Sequence, residues 1–231
     1  MEETQSFNVS YNVSFIGDSD IARWPQSLLP VFPHNDKLKI NLLGQDGATF
    51  TDTIRMIKNF IQNPSKSNVS KGFIVIACVG ENDLVNGQSI DKILSSFDEF
   101  IKLILHWSSL SSISDALQEC RKFPTCICFL GPKLEPWHKN DPFHRKKFAN
   151  LSRKMKGQIQ MYDAMYPNEN IIFVDCLTMF CGKSAKLPGA IFGGKAIAES
   201  KYFQNDEVHL NELGYTVWKN HIESEIFHRY E

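Results

Sequence analysis

Apolar residues gather in five short, nearly unbroken runs, at residues 11–16, 38–43, 73–79, 125–130 and 171–174. Runs of that length without polar alternation are the mark of strands buried on both faces, a condition met when helices cover a parallel sheet on each side. Between and after them, residues 21–29, 51–62, 89–107, 141–165 and 211–227 repeat their apolar positions with helical period. Strand and helix therefore alternate along the chain, which predicts an α/β protein with three layers. Residues 108–114 are the nearest approach to a linker, and they are few; without repeats or low-complexity tracts, residues 1–231 read as a single domain.

Composition narrows the function classes. Among 231 residues, 42% are hydrophobic and 22% charged, as in ordinary folded proteins that need no disulfide or structural metal to hold a core. Twenty-five Lys and Arg face 26 Asp and Glu, a net charge of −1, so the positive field that draws proteins to nucleic acid is missing and none is expected as a partner. The longest apolar run, residues 73–79, is far below the roughly 20 residues of a membrane-spanning helix. The opening MEETQSFNVSYN has neither a basic nor an apolar leader region, which makes the cytoplasm the expected location. Cysteines at 78, 120, 126, 128, 176 and 181 show no paired metal or redox spacing and read as reduced, buried thiols.

In open parallel sheets ligands sit beyond the carboxyl ends of the strands, so the residues there carry the functional information. The first strand runs into Gly17-Asp18-Ser19-Asp20, where a serine at a sharp strand-to-helix turn presents its hydroxyl at the sheet edge; the same tripeptide also serves as a plain turn and helix cap. After the second strand, Gly44-Gln45-Asp46-Gly47-Ala48-Thr49 is a glycine turn that lets backbone approach a ligand, although it lacks the Lys-Ser/Thr pair of a phosphate loop and reads equally as a structural turn. The third strand ends in Gly80-Glu81-Asn82-Asp83, with the Asn82 amide able either to donate to an oxyanion or to brace a turn. Asp206 stands three residues before His209, a spacing that lets the carboxylate hold the imidazole in the tautomer of a general base. Nucleophile, oxyanion donors and oriented base, in this order at successive strand ends, are the set that acyl transfer needs.

With these blocks the sequence resembles the SGNH hydrolases, or GDSL esterases and lipases, over nearly its whole length. The resemblance implies a flavodoxin-like α/β/α sandwich with five parallel strands. It implies Ser19 as nucleophile, His209 as base and Asp206 as its orienter, with the oxyanion held by the N–H of Ser19, the N–H of Gly47 in preference to Gly44, and the Asn82 side chain. The residue after the nucleophile is usually apolar in that family and is Asp20 here.

The expected activity is hydrolysis of a small-molecule carboxylic or thio ester through an acyl-enzyme, without cofactor or metal. A silent ligand-binding member is the alternative from another class, and an acyltransferase or carbohydrate O-deacetylase would use the same residues. Substrate selection falls to residues 131–145, where Lys133, Trp137 and His138 are candidate pocket residues, and to residues 182–205, which read as a lid, an interface or a surface loop. His138, Asp141 and His144 recur every three residues, but Pro142 sits inside the set and helical spacing fans the three apart, so no metal site is expected. Met155, Met161 and Met165 read as core packing. Oligomeric state is left open.

Overall fold

The computed structural model describes residues 11–31, 39–61, 72–110, 126–186 and 189–227. Strands β1 (Tyr11–Gly17), β2 (Lys39–Gly44), β3 (Gly72–Cys78), β4 (Cys126–Leu130) and β5 (Asn170–Val174) form one parallel sheet in the order β2-β1-β3-β4-β5. Each lies within two residues of the apolar run that predicts it. Leu38, Gln62, Cys120 and Thr125 fall outside the described residues.

Position in the sheet decides how completely each run is buried. Central β3 and its neighbour β4 are buried through Ile74–Cys78 and Cys126–Leu130, whereas edge strand β2 leaves Ile40 and Leu42, which share a face, more than a third exposed. Burial on both faces, expected of all five runs, therefore holds at the centre and fails at this edge.

Helices α2 (Phe50–Ile61), α4 (Ile90–Leu110) and α5 (Pro142–Met165) pack side by side, and short α3 (Glu81–Val85) lies against α4 and α5. Beneath them Phe97 meets Phe129 edge-on at 4.7 Å, with Phe50 and Phe100 completing an aromatic layer. Helices α1 (Ser19–Ala22), α6 (Cys176–Ala185) and α7 (Glu212–Ile222) meet through Trp24, Phe180 and Trp218, Trp24 stacking on Trp218 at 5.5 Å. The sheet thus has helices on both sides, a three-layer α/β/α arrangement.

Three expectations are corrected. The helix expected over residues 21–29 stops at Ala22, because Pro25 cannot continue it, and resumes as a 3₁₀ turn at Gln26–Leu28. Of the three methionines on α5 only Met155 is in the core; Met161 and Met165 are about half exposed. The loop expected over residues 182–205 begins inside α6, and its later part is tied to that helix: Ser184 Oγ accepts from the Ile197 N–H at 3.0 Å, Glu199 N–H donates to Phe180 O at 2.9 Å, and Ala190, Ala196 and Ala198 are buried. The cysteines at 78, 126, 128, 176 and 181 are buried thiols.

Candidate functional site

Three glycines let the ends of β1, β2 and β3 crowd together. A Cβ on Gly17 would lie 1.9 Å from Cys78 O, and one on Gly44 would lie 2.2 Å from the Ala22 nitrogen, so neither position can carry a side chain without parting its neighbours. Gly80 has φ +116° and sits against the Phe50 ring. From this junction Asp18 donates its N–H to Cys78 O at 3.1 Å and accepts from Asp20 N–H with its buried carboxylate, capping α1 and turning the chain so that Ser19 opens the helix, half-buried at the sheet edge. Among the described residues the Ser19 N–H has no acceptor.

The β2 turn closes over the same edge. Gln45 N–H donates to Gly17 O and Ala48 N–H to Gln45 O, both at 3.1 Å. Gly47 between them has φ +72°, with open space where a Cβ would stand, and its N–H likewise has no acceptor among the described residues. Asn82, on α3, donates from Nδ2 to Ala48 O at 3.1 Å, and neighbouring Asp83 accepts from Phe50 N–H at 3.0 Å. The third-strand block is thereby braced against the glycine turn, which brings Asn82 beside Gly47.

On the far side, Asp206 takes up His209 with both carboxylate oxygens. Oδ2 lies 2.7 Å from His209 Nδ1, while Oδ1 accepts the backbone N–H groups of Val208 and His209 at 2.9 and 3.0 Å. Partial burial works to raise the pKa of Asp206, but these bonds outweigh it and hold the carboxyl at about 2. Glu207 adopts φ +59° within this turn, an uncommon conformation for a residue with a side chain, and its carboxylate pairs with Lys139 at 3.0 Å. Helix α7 then ties the loop to Ser19: Asn211 caps it, and the Tyr215 hydroxyl donates to Asp20 O at 3.0 Å. Arg23, one turn after Ser19, forks onto Asp46 at 3.1 and 3.0 Å, which holds the Asp46 carboxyl below its usual range. Ser19 and His209 are not joined by a hydrogen bond among the described residues.

The three candidate pocket residues part company. Trp137 is 66% exposed and its N–H donates to Glu207 O, so it borders the His209 turn. His138 lies 3.4 Å from Glu135 and stacks on His144 at 3.8 Å between ring centres, while Asp141 caps α5; a stacked pair and a capping carboxylate do not converge on one point. Lys133 departs from its expected place. Its side chain is 2% exposed, and Nζ lies 2.7 Å from both Asp20 and Glu81, so it faces inward and cannot line a pocket.

That buried group is what sequence reasoning missed. Asp18, Asp20, Glu81 and Glu135 all surround Lys133, and burial followed by mutual repulsion pushes Asp18 well above the usual carboxylate range and Glu81 up to about 7. The acid in the place of an apolar residue after Ser19 was the available signal, since a buried carboxylate requires a cation. Asp18, Asp20 and Cys78 also bring ligand atoms within 4.8 Å of one another, but the Lys133 ammonium already answers their charge.

No protein-family profile and no curated protein sequence matches the chain, whereas solved structures do. A member of the lipolytic G-D-S-L family from Veillonella parvula superposes with a TM-score of 0.58 at 16% identity, covering 95% of this chain and 99% of its own. This chain shares the fold of that G-D-S-L protein. The psychrotrophic esterase EstA from Pseudoalteromonas shares that fold at a TM-score of 0.54 and 13% identity, over 95% and 98% of the two chains. So does the OSK domain of Drosophila Oskar, at 0.57 and 12%, over 92% and 86%. In this fold the Ser19 turn, the Gly47 turn and Asn82 follow β1, β2 and β3 at one end of the sheet, and the Asp206-bound imidazole of His209 stands on the loop before α7.

Proposed function

We propose that the protein is a serine esterase. The reading is supported by the N–H groups of Ser19 and Gly47, which have no acceptor among the described residues, together with a His209 imidazole held at Nδ1 by Asp206. Ser19 is half-buried at the first position of a helix and Gly47 is exposed, so both N–H groups are free to receive a charge that arises beside the hydroxyl during a reaction.

Ser19 Oγ attacks the ester carbonyl while His209 Nε2 takes its proton. The bond from hydroxyl to imidazole is one that commonly tightens when substrate closes the site. Negative charge on the carbonyl oxygen is received by the N–H of Ser19, the N–H of Gly47 and the Asn82 amide, which keeps one hydrogen beyond the one given to Ala48 O. Collapse gives an acyl-enzyme as the protonated imidazole returns its proton to the leaving alcohol, and water activated by His209 then releases the acid. Asp206 keeps Nδ1–H oriented and steadies the imidazolium in both halves. Exposed Trp137, whose backbone N–H is held by Glu207 O two residues before His209, offers an apolar face to a neutral acyl group.

Labelling with a fluorophosphonate, mapped by peptide mass spectrometry, tests the reading without a known substrate. Modification of Ser19, lost in Ser19→Ala and strongly slowed in His209→Ala, is the expected result. Folded wild-type protein that stays unlabelled at high probe concentration would sink it.

A further inference from the structure

Lys133 joins the two halves of the site from below. Its ammonium lies 2.7 Å from Asp20 Oδ2 and 2.7 Å from Glu81 Oε2, with Glu135 at 3.7 Å, and its backbone N–H donates to Glu81 Oε1 at 2.6 Å. Asp20 directly follows Ser19, and Glu81 directly precedes Asn82. One buried cation therefore spans from the turn that presents the hydroxyl to the helix that presents the amide. Asp20 is gripped from the other side as well, where Tyr215 holds its carbonyl.

Stability alone does not account for such a group. Taking several charges out of water costs about as much as their attraction returns, and apolar residues of the same volume often serve as well or better. What an ionic bridge adds is directional geometry: two short charge-assisted bonds that only one arrangement satisfies. Among the described residues Asp20 Oδ1 is buried without a hydrogen-bond partner, so Oδ2, on Lys133, is the oxygen through which the side chain is held.

We propose that Lys133 is a positioning residue, which sets the separation of Ser19 from Asn82 through Asp20 and Glu81 without touching substrate; the proposal rests on the esterase reading above. Loss of the bridge leaves the substrate's binding surface intact and misplaces the groups that act in the transition state, so kcat falls while KM holds.

The test compares wild type, Lys133→Met and Glu81→Gln for circular dichroism, fluorophosphonate labelling rate at Ser19, and kcat and KM on p-nitrophenyl acetate. Glu81→Gln removes one grip on the ammonium while Asp20 and Glu135 still neutralise it, so it folds even where Lys133→Met does not. Misplacement by about 1 Å costs on the order of 100-fold, so folded Lys133→Met is expected to lose about that much in kcat, and Glu81→Gln about 10-fold, with KM within about 2-fold of wild type. Wild-type kcat and labelling rate in a folded variant of either kind, with only the melting temperature lowered, would overturn positioning while leaving the esterase reading standing. Wild-type protein that neither labels nor hydrolyses overturns both.

Discussion

A Cβ on Gly44 would lie 2.2 Å from the Ala22 nitrogen, whereas one on Gly47 would meet nothing and would be opposed only by the φ of +72°. The two substitutions to alanine should therefore fail differently. Gly44→Ala wedges α1 away from β2, which overpacks the junction by about 1–3 kcal/mol and lowers the melting temperature. Gly47→Ala costs about 1–2 kcal/mol of backbone strain but tilts an N–H that the proposed esterase mechanism uses, so turnover should drop by more than the stability loss implies. Asn82→Ala removes a side-chain donor outright, and kcat should fall on the order of 100- to 1000-fold in p-nitrophenyl ester assays with folding retained. The placement of Gly47 in a turn and of Asn82 just after β3 was legible because a turn glycine and a strand-end amide are marked by their immediate neighbours in sequence. Lys133 was not, since its surroundings come from Asp20 and Glu81 on other elements and nothing in the residues around it marks the side chain as buried.

Trp24 links the Ser19 helix to the rest of the fold. It stacks on Trp218, meets Tyr215 at 5.3 Å and Phe15 edge-on at 5.2 Å, and its indole N–H donates to Leu28 O. Trp24→Ala should cost about 3–5 kcal/mol in chemical denaturation, because a cavity of that size cannot close among aromatic neighbours. Tyr215→Phe removes a single bond to Asp20 O and should cost about 1 kcal/mol. The long elements were readable from periodicity alone, α2 and α5 beginning within a residue of expectation. The short ones were not. Helix α3 has five residues and α6 bends at Gly182, too little regular repeat to register, although Asp175 capping through Thr178 N–H was a sign of the second. Pro25, which ends α1, was in plain view.

Across the whole molecule, strand order reverses between β1 and β3, and the crevice of an open parallel sheet forms where that reversal occurs. Ser19 follows β1 and Asn82 follows β3, so topology alone delivers both to the same place. Proton linkage is also a property of the whole chain, and two carboxyls pull it in opposite directions. Asp206, held at about 2, adds stability that is present above its ordinary 3.8 and lost as pH falls through 2. Glu81, raised from 4.5 to about 7 chiefly by burial, adds stability that is complete below 4.5 and lost as pH rises through 7; Asp18 shifts in the same sense. Melting temperature should accordingly decline over the upper interval, and Glu81→Gln should flatten that decline. A profile that is level there in wild type would contradict the titration of Glu81 over that interval, above which it is the carboxylate that accepts both Lys133 bonds.

The bond from Tyr215 to Asp20 spans 195 positions of sequence. A ribosome adds about 5–20 residues per second, so a nascent chain carries the Ser19 turn for roughly 10–40 s before the segment that grips it exists. During that interval the serine is an ordinary alcohol, without an imidazole to ionise it and without a fixed helix behind it. In the esterase proposed above, chemical competence therefore waits for that closing contact, and labelling at Ser19 would count molecules that have made it rather than merely translated ones.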